Sequence, residues 1–434
     1  MTLFAERNQR IDTENAFKVG PHIVKVELAS GAVVKLNLGE PDFALPAHIK
    51  SEIKRQLDLD NTHYCDPKGV PGLREAISRQ VNETRGLQTT PEQVVVFPGG
   101  KPSIGLTQQV YCDPGDEVIY PSPGFPIYES FIRYVRAVPV PLHLDEVTGF
   151  TFTPEQLEAL ITPKTKVIYL NFPSNPTGGV ATREQLEGIA KVILEKGRPD
   201  LRVYSDEIYE NILFDGQQHA SITAVPGMTE RTIIASGFSK TYAWTGGRIG
   251  YAVFPTVEEA EVFTRLNINY FSCTAPYNQE AAKLALESPL SAPVIAKMVA
   301  TFEQRRNVIW QQLNDIPGVS CQKPGGAFYL FPNISGVCEQ LGLVEYNAQL
   351  PEAERQATSP SGLFQLFALY GHRVAVLDRK SFGQVGADGL HFLRLSTASD
   401  LPVLADGVRC IRNASEDHAG LRRFLETRPD LQTD

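Results

Sequence analysis

Seven short apolar segments, separated by stretches of helical character, constrain this chain more than any other feature. They are Val94–Phe97, Glu117–Tyr120, Val138–Val140, Val167–Leu170, Arg202–Ser205, Thr232–Ser236 and Gly250–Phe254. Most are apolar on both faces, which is the pattern of a strand covered on both sides of its sheet. Two of the intervening stretches open with a capping box. Thr153-Pro-Glu-Gln156 precedes Leu157, and Thr182-Arg-Glu-Gln185 precedes Leu186, each pairing a hydroxyl cap with a glutamine three residues on. Strand, helix and strand at this spacing imply an α/β fold, a largely parallel sheet with helices on its faces. Ligands of such sheets bind at the carboxyl ends of the strands.

Those strand ends carry polar motifs. Asn175 lies in Asn-Phe-Pro-Ser-Asn-Pro-Thr-Gly (171–178), Asp206 and Tyr209 lie in Ser-Asp-Glu-Ile-Tyr (205–209), and Lys240 lies in Ser-Gly-Phe-Ser-Lys-Thr-Tyr (236–242), with Arg248 following. Each has a plain structural reading on its own. Asn-Pro-Thr-Gly makes a good turn, an aspartate at a strand exit caps a helix, and a Ser-Lys pair is a solvated turn. Together they are what a pyridoxal phosphate enzyme needs. A lysine amine can hold the cofactor aldehyde as a Schiff base, and a buried carboxylate opposite the pyridine nitrogen keeps that nitrogen protonated. Lys240 and Asp206 are the candidates for these two tasks. Asn175 and Tyr209 can each donate a hydrogen bond to the ring's phenolic oxygen, and Arg248 offers a planar charged fork to the phosphate.

With these motifs in this order, the chain resembles the class I aminotransferases from about Leu36 to about Ala398. Further segments are similar to the family's. Gly39, in Asn37-Leu-Gly-Glu-Pro-Asp-Phe43, stands where relatives meet the substrate carboxylate, and Arg394, in Phe-Leu-Arg-Leu-Ser (392–396), stands where they clamp it. Gly99-Gly100-Lys101 opens an expected helix after Val94–Phe97, a natural anion site. Phe125 stands where the family stacks an aromatic ring on the pyridine, and Ser239 matches a phosphate hydroxyl. Tyr64 matches a tyrosine that crosses a dimer interface to the neighbour's phosphate. The bonds Ser122-Pro123 and Asn175-Pro176 match two turns that the family makes with cis peptides.

The resemblance implies the pyridoxal phosphate-dependent transferase fold type I, with a mostly parallel seven-stranded sheet and a smaller α+β domain. At 434 residues, more than one domain is expected. Residues 46–295 would form the large cofactor-binding domain and residues 296–434 the small one. Residues 1–45 would supply an N-terminal arm and part of the small domain. A helical stretch from Ser291 to Asn314 leads into the C-terminal lobe, where Gly325–Phe331 and Phe392–Ser396 read as strands. The first ~15 residues are polar and read as a loose arm against a partner subunit.

The implied activity is transamination between an L-amino acid and a 2-oxo acid such as 2-oxoglutarate by a ping-pong route, in a homodimer. Lys101 narrows the substrate. One bacterial subgroup of aspartate aminotransferases, with relatives acting on prephenate, has lysine there to pair with an acidic side chain, which points to aspartate or glutamate. Two alternatives share most of these residues: a β-lyase of the cystathionine-cleaving kind, and an aminotransferase for aromatic or neutral amino acids or prephenate. A cofactor-sensing regulator would need a basic domain ahead of the core, and only about 36 residues precede the matched region.

The chain also departs from the family. Gly247 precedes Arg248 where many relatives carry tryptophan, while Trp244 stands where many carry methionine, so packing is expected to be exchanged between these positions. Gly237 replaces a phosphate-binding serine of some relatives. Gly336–Ser359 and Leu377–Gly383 read as solvated surface insertions.

Composition excludes other classes. A net charge of −9 is wrong for a nucleic-acid surface. The six cysteines, at 65, 112, 273, 321, 338 and 410, show neither metal spacing nor close pairs, so no metal site and reduced thiols are expected. No stretch approaches the roughly 20 apolar residues of a membrane span, and a cytoplasmic location is expected.

Overall fold

The structure, a computed structural model, describes residues 3–387 and 389–431; Met1 and Thr2 of the expected arm lie outside them. Its strands are β1 (Val34–Lys35), β2 (Val94–Phe97), β3 (Glu117–Ser122), β4 (Val138–His143), β5 (Thr165–Asn171), β6 (Arg202–Asp206), β7 (Thr232–Gly237), β8 (Gly250–Val253), β9 (Tyr329–Leu330), β10 (Val374–Ala375), β11 (Leu377–Asp378) and β12 (Leu393–Ser396). The seven expected from apolar runs form one sheet in the order β2-β8-β7-β6-β5-β3-β4. From β4 to β7 all neighbours are parallel, while β8 is antiparallel to both β7 and β2. β4 runs three residues past the expected Val140. It is an edge strand, and an edge tolerates Pro139 and Pro141, whose missing N–H groups blur the apolar pattern.

Side-chain alternation sorts the two layers. Along β5, Val167 and Tyr169 pack with Ile104 and Ile132 of the helices Lys101–Tyr111 and Ile127–Tyr134. Ile168 and Leu170 point the other way, into Leu186, Ile189 and Ile193 of the helix Arg183–Lys196. That helix and the one at Pro154–Glu158 begin where their capping boxes place them. Gln156 Oε1 accepts from Thr153 N at 2.8 Å, and Gln185 Oε1 accepts from Thr182 N at 2.9 Å.

A second body of structure is built on the antiparallel sheet β11-β12-β9. β1 joins it from the other end of the chain by pairing with β10, Val34 opposite Val374. The helix Ser291–Asn314 connects the two bodies. Its first half buries Met298 and Phe302 against Phe328 and Tyr329, and its second half buries Ile309 and Leu313 among Leu36, Leu330 and Leu393. Arg305 on this helix holds Asp42 through two hydrogen bonds of 2.7 and 2.8 Å, which fixes the chain just after Gly39.

Four expectations need correction. The strand expected over Gly325–Phe331 is only Tyr329–Leu330, because the N–H groups of Gly325 and Gly326 bond the carbonyl of Gly178 instead of a strand partner. Gly336–Ser359 is no solvated loop: it contains most of the helix Ser335–Gln340 and all of Leu343–Gln349 and Glu352–Ala357, with Val337, Cys338 and Leu343 buried. Leu377–Gly383 is also interior. Asp378 accepts hydrogen bonds from the Lys380 and Ser381 N–H groups and folds the polar stretch into a turn that buries Arg379, Ser381 and Phe382. Its polarity concealed this, since Arg379 finds partners inside, donating to Ser122 Oγ at 2.9 Å and to the Gly383 carbonyl at 3.0 Å. The arm is tied down as well: the Asp12 N–H donates to Ser130 Oγ at 2.9 Å, and Asn15 Nδ2 donates to Ser381 Oγ at 3.0 Å.

Ser122-Pro123 and Asn175-Pro176 are cis, as is Phe172-Pro173, which the sequence reading did not anticipate. All six cysteines are free thiols. Among the described residues no helix is long and apolar enough to cross a membrane.

Candidate active site

Strands β5, β6 and β7 end side by side, with Asn171 in register with Asp206 and Asp206 with Ala235. Asn171 then ties the loops beyond. Its Nδ2 donates to the Asp206 carbonyl and its Oδ1 accepts from the Asn175 N–H, both at 3.0 Å. Lys240 follows three residues after the end of β7. A cavity of about 410 Å³ opens at this point. Gly39, Gly100, Lys101, Phe125, Asn175, Asp206, Tyr209, Ser239, Lys240, Arg248 and Arg394 all line it. Tyr64 does not; it is 87% exposed on the surface of the single chain. A larger cavity, about 530 Å³, lies between the arm and the helix Ile127–Tyr134, and none of these residues reaches it.

The buried charges are under-compensated. Asp206 is fully desolvated, which raises its carboxyl to about 6, although a 2.6 Å hydrogen bond from the Tyr128 phenol pulls the other way. Lys240 is lowered to about 8, first by burial and then by repulsion from Arg394. Its Nζ donates to the Gly39 carbonyl at 2.5 Å and lies 5.8 Å from the centre of the Phe328 ring. Arg394 is buried between the rings of Tyr329 and Phe382, 4.5 and 4.9 Å from its guanidinium carbon. It donates to Asn175 Oδ1 at 3.1 Å and to the Asn37 carbonyl at 2.5 Å, while its Nε has no partner. Among the described residues no carboxylate pairs with it, so the site holds a buried cation that an incoming carboxylate would complete.

The other end of the cavity is built for an anion. Gly100 precedes the helix Lys101–Tyr111, whose first N–H groups have no helical acceptor. Arg248 donates to the Thr245 carbonyl at 2.7 Å and lies directly against Gly99. A Cβ at Gly99 would sit 2.2 Å from its Nη2, and the backbone there has φ of +96°. Only glycine admits the guanidinium so close to the helix start. Ser239 is buried beside it, and Gly237 contributes no hydroxyl. The expected packing exchange is real: a Cβ on Gly247 would fall 2.0 Å from Trp244 Nε1, so the indole fills the space above this glycine.

A sequence profile described as "Aminotransferase class I and II" matches residues 32–400. The chain belongs to the class I and II aminotransferases. This aminotransferase is 36% identical over 337 residues to the aspartate/prephenate aminotransferase of Cereibacter sphaeroides, covering 77% of this chain and 83% of that one. It is 37% identical over 313 residues to aromatic-amino-acid aminotransferase 2 of Thermococcus litoralis, covering 71% and 79%. The crystal structure of the aspartate aminotransferase from Rhizobium meliloti superposes with a TM-score of 0.84 at 30% identity, covering 96% of this chain and 99% of that one. The fold is therefore that of the fold type I enzymes, the cofactor is pyridoxal 5'-phosphate, and the activity is amino transfer. The residues fit that cofactor: a buried carboxylate with no ion-pair partner among the described residues at the carboxyl end of the central strand β6, an amine of lowered basicity, and an arginine against a helix start.

Sequence reasoning missed four side chains. Tyr128 lies three residues beyond Phe125 in a stretch that reads as a helix start, yet its phenol holds Asp206. Tyr329 shares a 2.8 Å hydrogen bond with Tyr209 and stacks on Arg394. Tyr204 joins Ser103 at 2.7 Å beneath Gly100. Glu14 enters the cavity from the arm and pairs with Lys101. Tyr204 and Tyr329 sit in apolar strand runs where an aromatic reads as core, and Glu14 sits in a polar stretch with no periodicity.

Proposed function

We propose that this aminotransferase acts on acidic substrates, with aspartate or glutamate as donor and a 2-oxo acid such as 2-oxoglutarate as acceptor. The observation that carries this is Lys101. Its ammonium lies in the same cavity as Arg394, 5.6 Å from the centre of the Phe125 ring, so two cations are available for the two carboxylates of an acidic substrate. The names of the relatives from Cereibacter sphaeroides and Rhizobium meliloti support the same choice.

In this reading Lys240 anchors the cofactor covalently and Asp206 faces its ring nitrogen. Asn175 and Tyr209 donate to the ring's phenolic oxygen, and Phe125 stacks on the ring. Gly100, Ser239 and Arg248 hold the phosphate. Pyridoxal phosphate, when bound, supplies a protonated ring that accepts the electron pair left by the departing α-proton. The chain does the rest. Arg394 fixes the α-carboxylate, with Gly39 closing over it, so that the Cα–H bond faces Lys240. Once the substrate's amine has displaced it from the cofactor, the freed Nζ of Lys240 takes the α-proton and later returns one. An amine lowered to about 8 is suited to both steps near neutral pH. Asp206, once opposite a cationic nitrogen, is held ionised by it.

The assembly we propose is a cytoplasmic homodimer of twofold symmetry in which Tyr64 reaches the partner's phosphate site. Residues 46–295 form its large domain, and residues 1–45 with 296–434 its arm and small domain. A second reading, an aromatic or prephenate substrate, is supported by Phe17, Leu38 and Ile104 in the lining. The deciding experiment is Lys101→Ser. It should lower kcat/KM for aspartate by about 1 to 3 kcal/mol in transition-state terms and spare phenylalanine. An equal loss for both would sink the acidic-substrate reading, and ammonia release without an acceptor acid would favour a β-lyase.

A further inference from the structure

The cavity holds four cationic side chains, Lys101, Lys240, Arg248 and Arg394, and three acidic ones, Glu14, Glu40 and Asp206. Two of the acids are engaged away from Lys101. Asp206 is at the strand ends under Tyr128, and Glu40 is hydrogen-bonded to Thr245. Glu14 alone pairs with Lys101, and it is the less exposed partner, with 16% of its side chain accessible against 43% for the lysine. Its negative charge also bears on Lys240 and Arg394, favouring the charged form of both. The carboxylate therefore sits within the field of Lys101, Lys240 and Arg394, the cations expected to meet substrate.

The segment that carries it is clamped from two sides. Ser130 Oγ accepts from the Asp12 N–H at 2.9 Å and donates to the Asp12 carbonyl at 3.0 Å, and Asn15 reaches Ser381. Asn37 Nδ2 donates to the Ala16 carbonyl at 3.3 Å, linking this segment to the one that runs on to Gly39. Glu14 is thus held over the cavity by its neighbours' hydrogen bonds, which do not depend on its own charge.

We propose that Glu14 is a specificity-determining residue, an internal counter-ion that occupies Lys101 until the distal carboxylate of an acidic substrate replaces it. This rests on the reading that Lys101 faces the substrate side chain. An acidic substrate exchanges one carboxylate for another at Lys101, so its binding is weakened by the competition. A neutral or aromatic substrate leaves the Glu14–Lys101 pair intact and meets a site whose charge is already balanced. One cavity then serves both classes, and the strength of the internal pair sets the ratio between them.

The test measures binding to the holoenzyme by calorimetry with two unreactive probes. Succinate carries two carboxylates, and 3-phenylpropanoate carries one carboxylate and an apolar end. Glu14→Gln keeps the side-chain shape and removes the charge. It should tighten succinate by about fivefold, the scale of a partly exposed ion pair, and leave 3-phenylpropanoate unchanged or weaker. Ser130→Ala loosens the segment without touching the charge and should not reproduce the succinate gain. Unchanged or weaker succinate binding in Glu14→Gln, or the same gain in Ser130→Ala, overturns the counter-ion role. If Lys101→Ser weakens both probes equally, the reading of Lys101 itself falls, and this inference with it.

Discussion

Tyr128 donates a 2.6 Å hydrogen bond to Oδ2 of Asp206, and its ring stacks on Tyr169 with centroids 4.7 Å apart. The carboxylate is thus positioned by the aromatic layer of the sheet, and among the described residues no cation forms an ion pair with it, Lys240 acting on it only through its field. Its charge is therefore held at a cost in stability, which the protonated ring nitrogen proposed to lie opposite it would relieve.

That cost can be measured in the apo-protein. Asp206 has an ordinary value of 3.8 and is raised to about 6 by burial, so folding favours its protonated form. Stability tied to this group is complete below 3.8 and is lost as pH rises through about 6. At pH 7 the ionised side chain costs the fold up to about 3 kcal/mol. Asp206→Asn should therefore raise the apo-protein's denaturation midpoint at pH 7 and lose nearly all activity, and the stability gain should vanish as the pH is lowered toward 4. A variant that is less stable than the parent at pH 7 would contradict the assignment.

Lys240 gives a second pH signature. Only its unprotonated amine can attack an aldehyde, and burial lowers it to about 8. The rate at which apo-protein captures pyridoxal phosphate, followed by borohydride trapping and peptide mass spectrometry, should rise about tenfold per pH unit below 8 and level off above it. The label should fall on Lys240, and Lys240→Ala should take up none there. A label that moves to another lysine with turnover intact would displace Lys240 as the anchor.

What could be read from the sequence followed from local periodicity and from order along the chain. Seven apolar runs became seven sheet strands because all but the edge strand β4 are buried on both faces, and the motifs at their ends converge because parallel strands bring their carboxyl ends together. What could not be read depends on partners distant in sequence. Tyr329 acts on Arg394 across a sheet, and Glu14 reaches Lys101 across 87 positions. Arg379 was misread for the same reason: a polar stretch looks solvated until its internal acceptors are known.

Tyr64 tests the assembly. Its side chain is exposed in the single chain and lies outside the cavity, yet the family resemblance assigns it to a phosphate. In a twofold dimer each site would borrow it from the partner. Mixing Tyr64→Ala with Lys240→Ala, each nearly inactive, should restore up to about a quarter of parental activity once subunits exchange, because hybrid dimers carry one intact site. Absence of rescue with exchange confirmed by mass would show that each site is built from one chain.

The exchange of bulk between Trp244 and Gly247 gives the last prediction. The indole occupies the volume that a side chain at 247 would need, with Nε1 2.0 Å from a Cβ built there. Gly247 is also held from behind, its carbonyl accepting from Asn278 Nδ2 at 2.9 Å, so the backbone cannot simply retreat. Gly247→Ala should cost about 1 to 3 kcal/mol by overpacking. Trp244→Met should cost a similar amount by leaving a void. Together they should cost less than the sum by at least about 1 kcal/mol, because the methionine vacates what the alanine needs. Arg248 is the next residue, and its guanidinium depends on the same turn through the Thr245 carbonyl, so pyridoxal phosphate affinity should fall in Gly247→Ala and recover in the double variant. Strictly additive stabilities, with cofactor affinity unmoved in all three variants, would show that the indole and the glycine do not share this space.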